Sequence, residues 1–202
     1  DRSYGYMAYM GGSLGFSSPL FERRLWDWIE APSYALNGRI VARQILGPNS
    51  AQAVEIGQRK LTLAAFHGLD GFAHRTFAHG WSEDLRLILW EQARVLFTLV
   101  AWFMESQEER LLSYVRAMLK ALEGISSVED GRRVFDERYW VQETVFGDVG
   151  PIVLVEPLMK YYGLTGDTDA LNFCEGIIKW SMDPDTNFID GDYRFSLSLI
   201  HI

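Results

Sequence analysis

The dipeptide Asp-Gly occurs at Asp70-Gly71, Asp130-Gly131 and Asp190-Gly191, so that the third follows the second at the same interval as the second follows the first. A fixed internal period of this size marks a chain built from repeated copies of one supersecondary unit, stacked because no copy can bury its apolar face alone. The segments between the dipeptides repeat as well. Apolar runs break at LGPNSAQA (Leu46 to Ala53), MESQEERL (Met104 to Leu111) and LTGDTDAL (Leu164 to Leu171). Each break offers a capping residue, then an acidic or amide-bearing turn suited to the positive end of a helix. Gly47, Ser106 and Gly166 are the matching turn positions, and they keep the period of the dipeptides to within a single position. In the third break, Gly163 and Gly166 can close one helix in the left-handed conformation, and Thr165 or Asp167 can cap the next.

Each unit is therefore a first helix, a tight turn, a second helix and an Asp-Gly loop able to form a small β-hairpin, as in FIDGDYRF. First helices are predicted near residues 33–46, 83–105 and 149–163, and second helices near 50–66, 107–124 and 167–182. The second helices carry one apolar stripe each: Val54, Gly57, Leu61 and Ala64; Leu111, Val115, Met118 and Leu122; Ala170, Cys174, Ile177 and Ser181. Such a stripe belongs to an outer helix with one wet face. The first helices, in LRLILWEQARVLFTLVAWF and GPIVLVEPLMKYY, are apolar nearly all round and read as inner helices. Glu91 and Arg94 within the helix near 83–105, at i,i+3 spacing, are expected to form a structural ion pair, and Glu156-Pro157 is expected to mark a kink. The fold class is all-α, a partial (α/α)6 toroid of about three helical hairpins with short β-hairpin loops.

Hydrophobic content of 48% and charge of 23% fit a packed core, and the net charge of −8 leaves no basic surplus for nucleic acid or anionic lipid. The longest apolar run, Leu85 to Met104, contains Arg86, Glu91 and Arg94, which argues for a buried helix and against a membrane span. One cysteine, Cys174, excludes an internal disulfide, and burial as a small apolar group is its expected state. Residues 1–195 are expected to form a partial toroid domain. The tail SLSLIHI (196–202) resembles a translated sequencing adapter, so the natural chain is expected to continue past about Phe195. Localisation is not readable from these features.

The segments SYALNGRIVARQILG, LWEQARVLFTLVAWFMESQEERLLSYVRAML and VEPLMKYYGLTGDTDALNFCEGIIKW, within about residues 26–195, resemble the six-hairpin glycosidase superfamily. Within it, they resemble proteins related to the β-L-arabinofuranosidases of glycoside hydrolase family 127. The resemblance implies a substrate funnel where the inner helices begin. Three segments fall at those mouths: Trp28 to Glu30, Trp81 to Glu83 and Trp140 to Glu143. A tryptophan face stacks on the C–H patches of a sugar, and carboxylates accept its hydroxyl protons. Glycosidic cleavage commonly uses two carboxyl groups.

The candidate catalytic residues are accordingly Glu83, Glu143, Asp136 and Glu137, the last two from FDERYW ahead of the third inner helix. Candidate substrate-binding residues are Trp28, Glu30, His79, Trp81, Tyr139 and Trp140. His79 is the nearest to an inner helix of the three histidines in HGLDGFAHRTFAHGW, whose spacings of seven and five suit neither one helix face nor a known finger pattern; His67 and His74 read as exposed loop residues. The family resembled carries a glutamate and cysteine zinc cluster with a cysteine nucleophile, which a single cysteine cannot supply. Those residues lie past the end of this sequence, or the chain is a divergent branch without them. No metal, cofactor or nucleophile is carried over.

The expected activity is hydrolysis of a glycosidic bond in a polysaccharide or oligosaccharide. The alternatives are a sugar epimerase or polysaccharide lyase on the same toroid, using histidine or tyrosine to move protons, or a helical-repeat binding module without catalysis.

Overall fold

A computed structural model describes residues 36, 38, 40, 43, 45 and 47, and the segments 52–66, 68–74, 87–139 and 150–183; the side chains of 52–54, 58, 61 and 137 fall outside it. The described chain is mostly helical, with one two-stranded antiparallel sheet. It divides into two compact units, Asp1–Leu87 with Arg94–Met118, and Ile88–Ala93 with Leu119–Ile202.

Leu36, Gly38, Ile40, Arg43 and Ile45 are helical. The numbered elements follow in order: α1 Gln52–Ala64, α2 Leu89–Ser106, α3 Glu109–Gly124, strands β1 Ser126–Glu129 and β2 Arg132–Phe135, then two single 3-10 turns, Glu137–Tyr139 and Pro151–Leu154, and finally α4 Val155–Thr165 and α5 Thr168–Ser181.

One helix-closing device occurs three times. Gly47, Gln107 and Gly166 have φ of +78°, +57° and +70°. Their amides donate to the carbonyls of Arg43, Phe103 and Tyr162, each over 2.8 Å. This is the left-handed cap that turns the chain out of a helix and satisfies one of its last carbonyls. The three positions are evenly spaced to within a single position, so the predicted period is present in backbone geometry. The middle turn position is Gln107 rather than Ser106. Its side-chain amide donates to the Phe103 and Met104 carbonyls at 3.3 and 3.1 Å, which helps to offset the cost of a left-handed residue with a Cβ.

Restart of the helix is equally local. The Asp167 carboxylate accepts from the Asp169 amide at 3.1 Å and from the Tyr161 hydroxyl at 2.7 Å, joining the end of α4 to the start of α5. Of the two proposed caps, Asp167 is the one that caps α5; the Thr165 hydroxyl bonds back to the Tyr161 carbonyl.

The stripes of α3 and α5 are buried as predicted. Leu111, Val115, Met118 and Leu122 are fully buried, as are Ala170, Cys174 and Ile177, with Ser181 at 2% exposure. The stripe of α1 is different. Ala64 is exposed and Gly57 half-buried, while Glu55 and Thr62 are buried. Helix α2 is buried on most sides, from Leu89 to Phe103, as an inner helix should be. It starts at Leu89 rather than near 83, because Leu87 and Ile88 are not helical. Glu91 is buried and Arg94 half-buried. Helix α4 is more one-sided than predicted. Pro157, Leu158 and Tyr161 are buried, while Glu156 and Lys160 are exposed and paired at 2.9 Å.

Pro157 does not kink a continuing helix. It sits in the first turn of α4, directly after the 3-10 turn, where its missing N–H leaves no intrahelical bond unmade.

Asp130 and Gly131, with φ of +51° and +76°, form the two-residue turn between β1 and β2. Positive φ at both positions suits the right-handed strand twist, and the register runs from Ser126 opposite Phe135 to Glu129 opposite Arg132. The hairpin lies on α5: the Phe135 and Phe173 rings meet edge-on at 6.1 Å, and the Arg133 guanidinium covers Phe173 at 4.7 Å. Gly176 makes this approach possible. A Cβ there would stand 2.9 Å from the Arg133 Cβ and 3.3 Å from its backbone nitrogen. The earlier Asp70-Gly71 forms no strand pair among the described residues, and Asp190-Gly191 lies outside them.

Candidate functional site

The end of β2 and the 3-10 turn after it line an open depression of about 570 Å³. Ile125, Val134 and Phe135 give it an apolar part, and Asp136, Arg138 and Tyr139 a polar one. Local chemistry sets the polar group. The strand ends at Phe135, which is buried, and Asp136 caps the turn: its carboxylate accepts from the Arg138 amide at 2.9 Å, and its carbonyl from the Tyr139 amide at 3.1 Å. The turn brings Arg138 back over the next side chain. Its guanidinium carbon stands 4.8 Å from the centre of the Tyr139 ring, and Nη2 donates to the Tyr139 hydroxyl at 2.9 Å. The Asp136 carboxylate is 3.7 Å from Arg138 Nε, an ion pair too long to be a hydrogen bond.

Two residues named from the sequence, Asp136 and Tyr139, thus meet on one wall. Arg138 between them, part of the same polar and aromatic cluster in the sequence, was given no role of its own, although an arginine next to a tyrosine in a capped turn signals a stacked pair. Asp136, expected as a catalytic acid, uses one of its carboxylate oxygens to organise the turn. Glu137 contributes backbone to the same turn, with its side chain outside the described atoms. Trp28, Glu30, His79, Trp81, Glu83, Trp140 and Glu143 all lie outside the described residues. The predicted ring of tryptophan and glutamate pairs therefore has no described geometry.

A second polar group lies in the first unit. Arg43 grips Glu55 with two bonds, Nε to Oε2 at 3.0 Å and Nη2 to Oε1 at 2.9 Å, and reaches Glu105 at 2.8 Å. Arg59 contacts the same two carboxylates at 2.6 and 2.7 Å. Two cations and two anions form a closed ring across the residue-43 helix, α1 and α2, and Arg59 also lies 4.7 Å over the Trp102 ring. The bonds to Glu55 and Glu105 hold the Arg43 guanidinium charged well beyond its ordinary range. The Arg43 bond, then that of Arg59, lower the Glu105 pKa against the opposing effect of partial burial. With every charge answered, this ring is a fastening between helices.

In the 68–74 loop, the Asp70 carboxylate accepts from the Phe72 amide at 3.2 Å and meets His74 Nε2 at 2.7 and 2.9 Å. The His74 amide donates to the Ala65 carbonyl at 2.7 Å. Partial burial works to raise the Asp70 pKa, but the His74 and Phe72 bonds outweigh it and hold it below the ordinary value. His74 is a half-buried tie and not the exposed loop residue expected. The i,i+4 spacing of Asp70 and His74 was the available signal.

Among the described residues, no group of three His, Cys, Asp or Glu side chains could hold a metal ion. No helix among them is long and apolar enough to cross a membrane. Comparison with known proteins finds no family model, curated protein or solved structure that matches the chain.

Proposed function

We propose that this chain is part of a carbohydrate-active protein of the glycoside hydrolase kind, with its helical hairpins arranged as part of an (α/α)6 toroid. The repeated cap at Gly47, Gln107 and Gly166 supports the hairpin series. The observation that carries the sugar reading is the depression at the end of β2, where an aromatic ring, a guanidinium and a carboxylate share a wall beside apolar side chains. A sugar needs that mixture, because each ring has apolar C–H faces and a rim of hydroxyl groups. Asp136, Arg138 and Tyr139 serve in binding, and Glu83 and Glu143 remain the proposed catalytic carboxylates.

A second reading, a helical-repeat module that binds sugar without cleaving it, is favoured by one feature: the Asp136 carboxylate is committed to its turn.

The test is turnover of a panel of aryl glycosides and oligosaccharides by the full chain and by Glu83→Gln and Glu143→Gln. Hydrolysis reduced on the order of 100-fold or more in both variants supports the catalytic assignment. Unchanged turnover removes the two glutamates, and binding without turnover by the parent selects the second reading.

A further inference from the structure

Among the described residues, the depression contains a cation whose hydrogen-bonding capacity is mostly unspent. Arg138 carries five N–H donors. Its side chain is 67% exposed, and among the described residues its one side-chain hydrogen bond is to the Tyr139 hydroxyl. The 3.7 Å contact with Asp136 consumes no donor. The guanidinium is also held in place from below by the Tyr139 ring, at 4.8 Å, and from the side by that hydroxyl. Such a group loses less rotamer freedom on binding than an untethered arginine. Its planar fork matches a carboxylate, which can accept two parallel N–H bonds, better than it matches a lone hydroxyl.

Resting on the sugar reading above, we propose that this wall selects a sugar bearing a carboxylate, a uronic acid residue, with Arg138 as the specificity-determining side chain. The acid group binds the open edge of the guanidinium, and the sugar ring lies along the apolar part formed by Ile125, Val134 and Phe135. Asp136 plays a part in the selection as well. It keeps a second anion from settling deeper in the turn, so the carboxylate is directed to the outer edge of the fork.

The test is calorimetric titration of the full chain with three probes of equal length: an oligogalacturonate, its methyl ester and a neutral galactan oligomer. The expected result is that the acid binds about tenfold or more tightly than its ester, as charge-assisted bonds to a fixed guanidinium imply. The margin should shrink with added salt. Arg138→Ala should abolish the margin, bringing the acid and its methyl ester to about the same affinity. Arg138→Lys, which keeps the charge but not the fork, should restore only part of it. The exposed position of Arg138 makes both variants compatible with folding, to be checked by circular dichroism. Equal binding of acid and ester, or a margin that survives in Arg138→Ala, overturns this proposal and leaves the sugar reading standing. No binding of any probe overturns both.

Discussion

Helices α1 and α5 occupy the same place in their hairpins, yet they are fastened by different forces. The described inward positions of α5 are mostly hydrocarbon and sulfur: Ala170, Phe173, Cys174 and Ile177 are all fully buried, and the one hydroxyl of the stripe, on Ser181, donates to the Ile178 carbonyl. Those of α1 are Glu55 and Thr62, with Arg59 between them at 17% side-chain exposure. Apolar burial is non-directional and depends on volume, whereas the ring of Arg43, Glu55, Arg59 and Glu105 depends on geometry, charge and ionic strength. One repeat can therefore be kept while its adhesive changes, provided each buried charge acquires a partner. The difference should be visible in how each helix fails.

The largest effect is expected from Ile177→Ala. Removing a fully buried branched side chain from α5 should lower unfolding stability by about 2 to 5 kcal/mol, measured by urea denaturation. A loss under about 1 kcal/mol would mean that the α5 interface is looser than its burial implies. Glu55→Gln should come next, at about 1 to 3 kcal/mol, since it strips the shared anion from Arg43 and Arg59. A double-mutant cycle with Arg43→Ala should show coupling on the order of 1 kcal/mol. Zero coupling would make the ring an incidental meeting of surface charges.

Acid should separate the two helices further. The Glu105 and Asp70 pKa values are depressed in the folded chain, from ordinary values of 4.5 and 3.8. A depressed carboxylate contributes stability above its unfolded pKa and loses it as pH falls through the folded value, so the 43–105 fastening should loosen below about pH 4. Cys174 reports on the other side of the comparison. Burial pushes its thiol pKa up to about 12, and its Sγ lies against the Val155 carbonyl at 3.9 Å. Iodoacetamide at about pH 8 should react with it only as fast as α5 opens. Exchange of the α1 amides should accelerate in about 1 M salt, which screens charge, with little change in that alkylation rate. Equal sensitivity in both places would erase the distinction.

The sequence made much of the α5 side visible. Its stripe, the Asp167 cap and the Asp130-Gly131 turn depend on residues a few positions apart, which periodicity and turn chemistry report directly. The α1 side was read less well because the described part of its inward face carries charge. Glu55 is acceptable inside only through Arg43, Arg59 and Glu105, and the last of these lies at the far end of α2, beyond any local pattern. The turn falls at Gln107 rather than Ser106 for a local reason, because a side chain bonding to two carbonyls of the preceding turn does there what glycine does elsewhere. The tie that His74 makes with Asp70 is local, and its i,i+4 spacing was a signal left unread. In the depression, Asp136 and Tyr139 were legible as a polar and aromatic cluster. Their geometry was not, because it depends on how the turn folds Arg138 over its neighbour.

Backbone chemical shifts and three-bond couplings around Gly47, Gln107 and Gly166 test the hairpin series most directly. A positive φ at all three, Gln107 included, with helical shifts before and after each, is the outcome this account requires. A right-handed helical φ at Gln107, with α2 and α3 running on as one continuous helix, would remove the middle turn and with it the repeat.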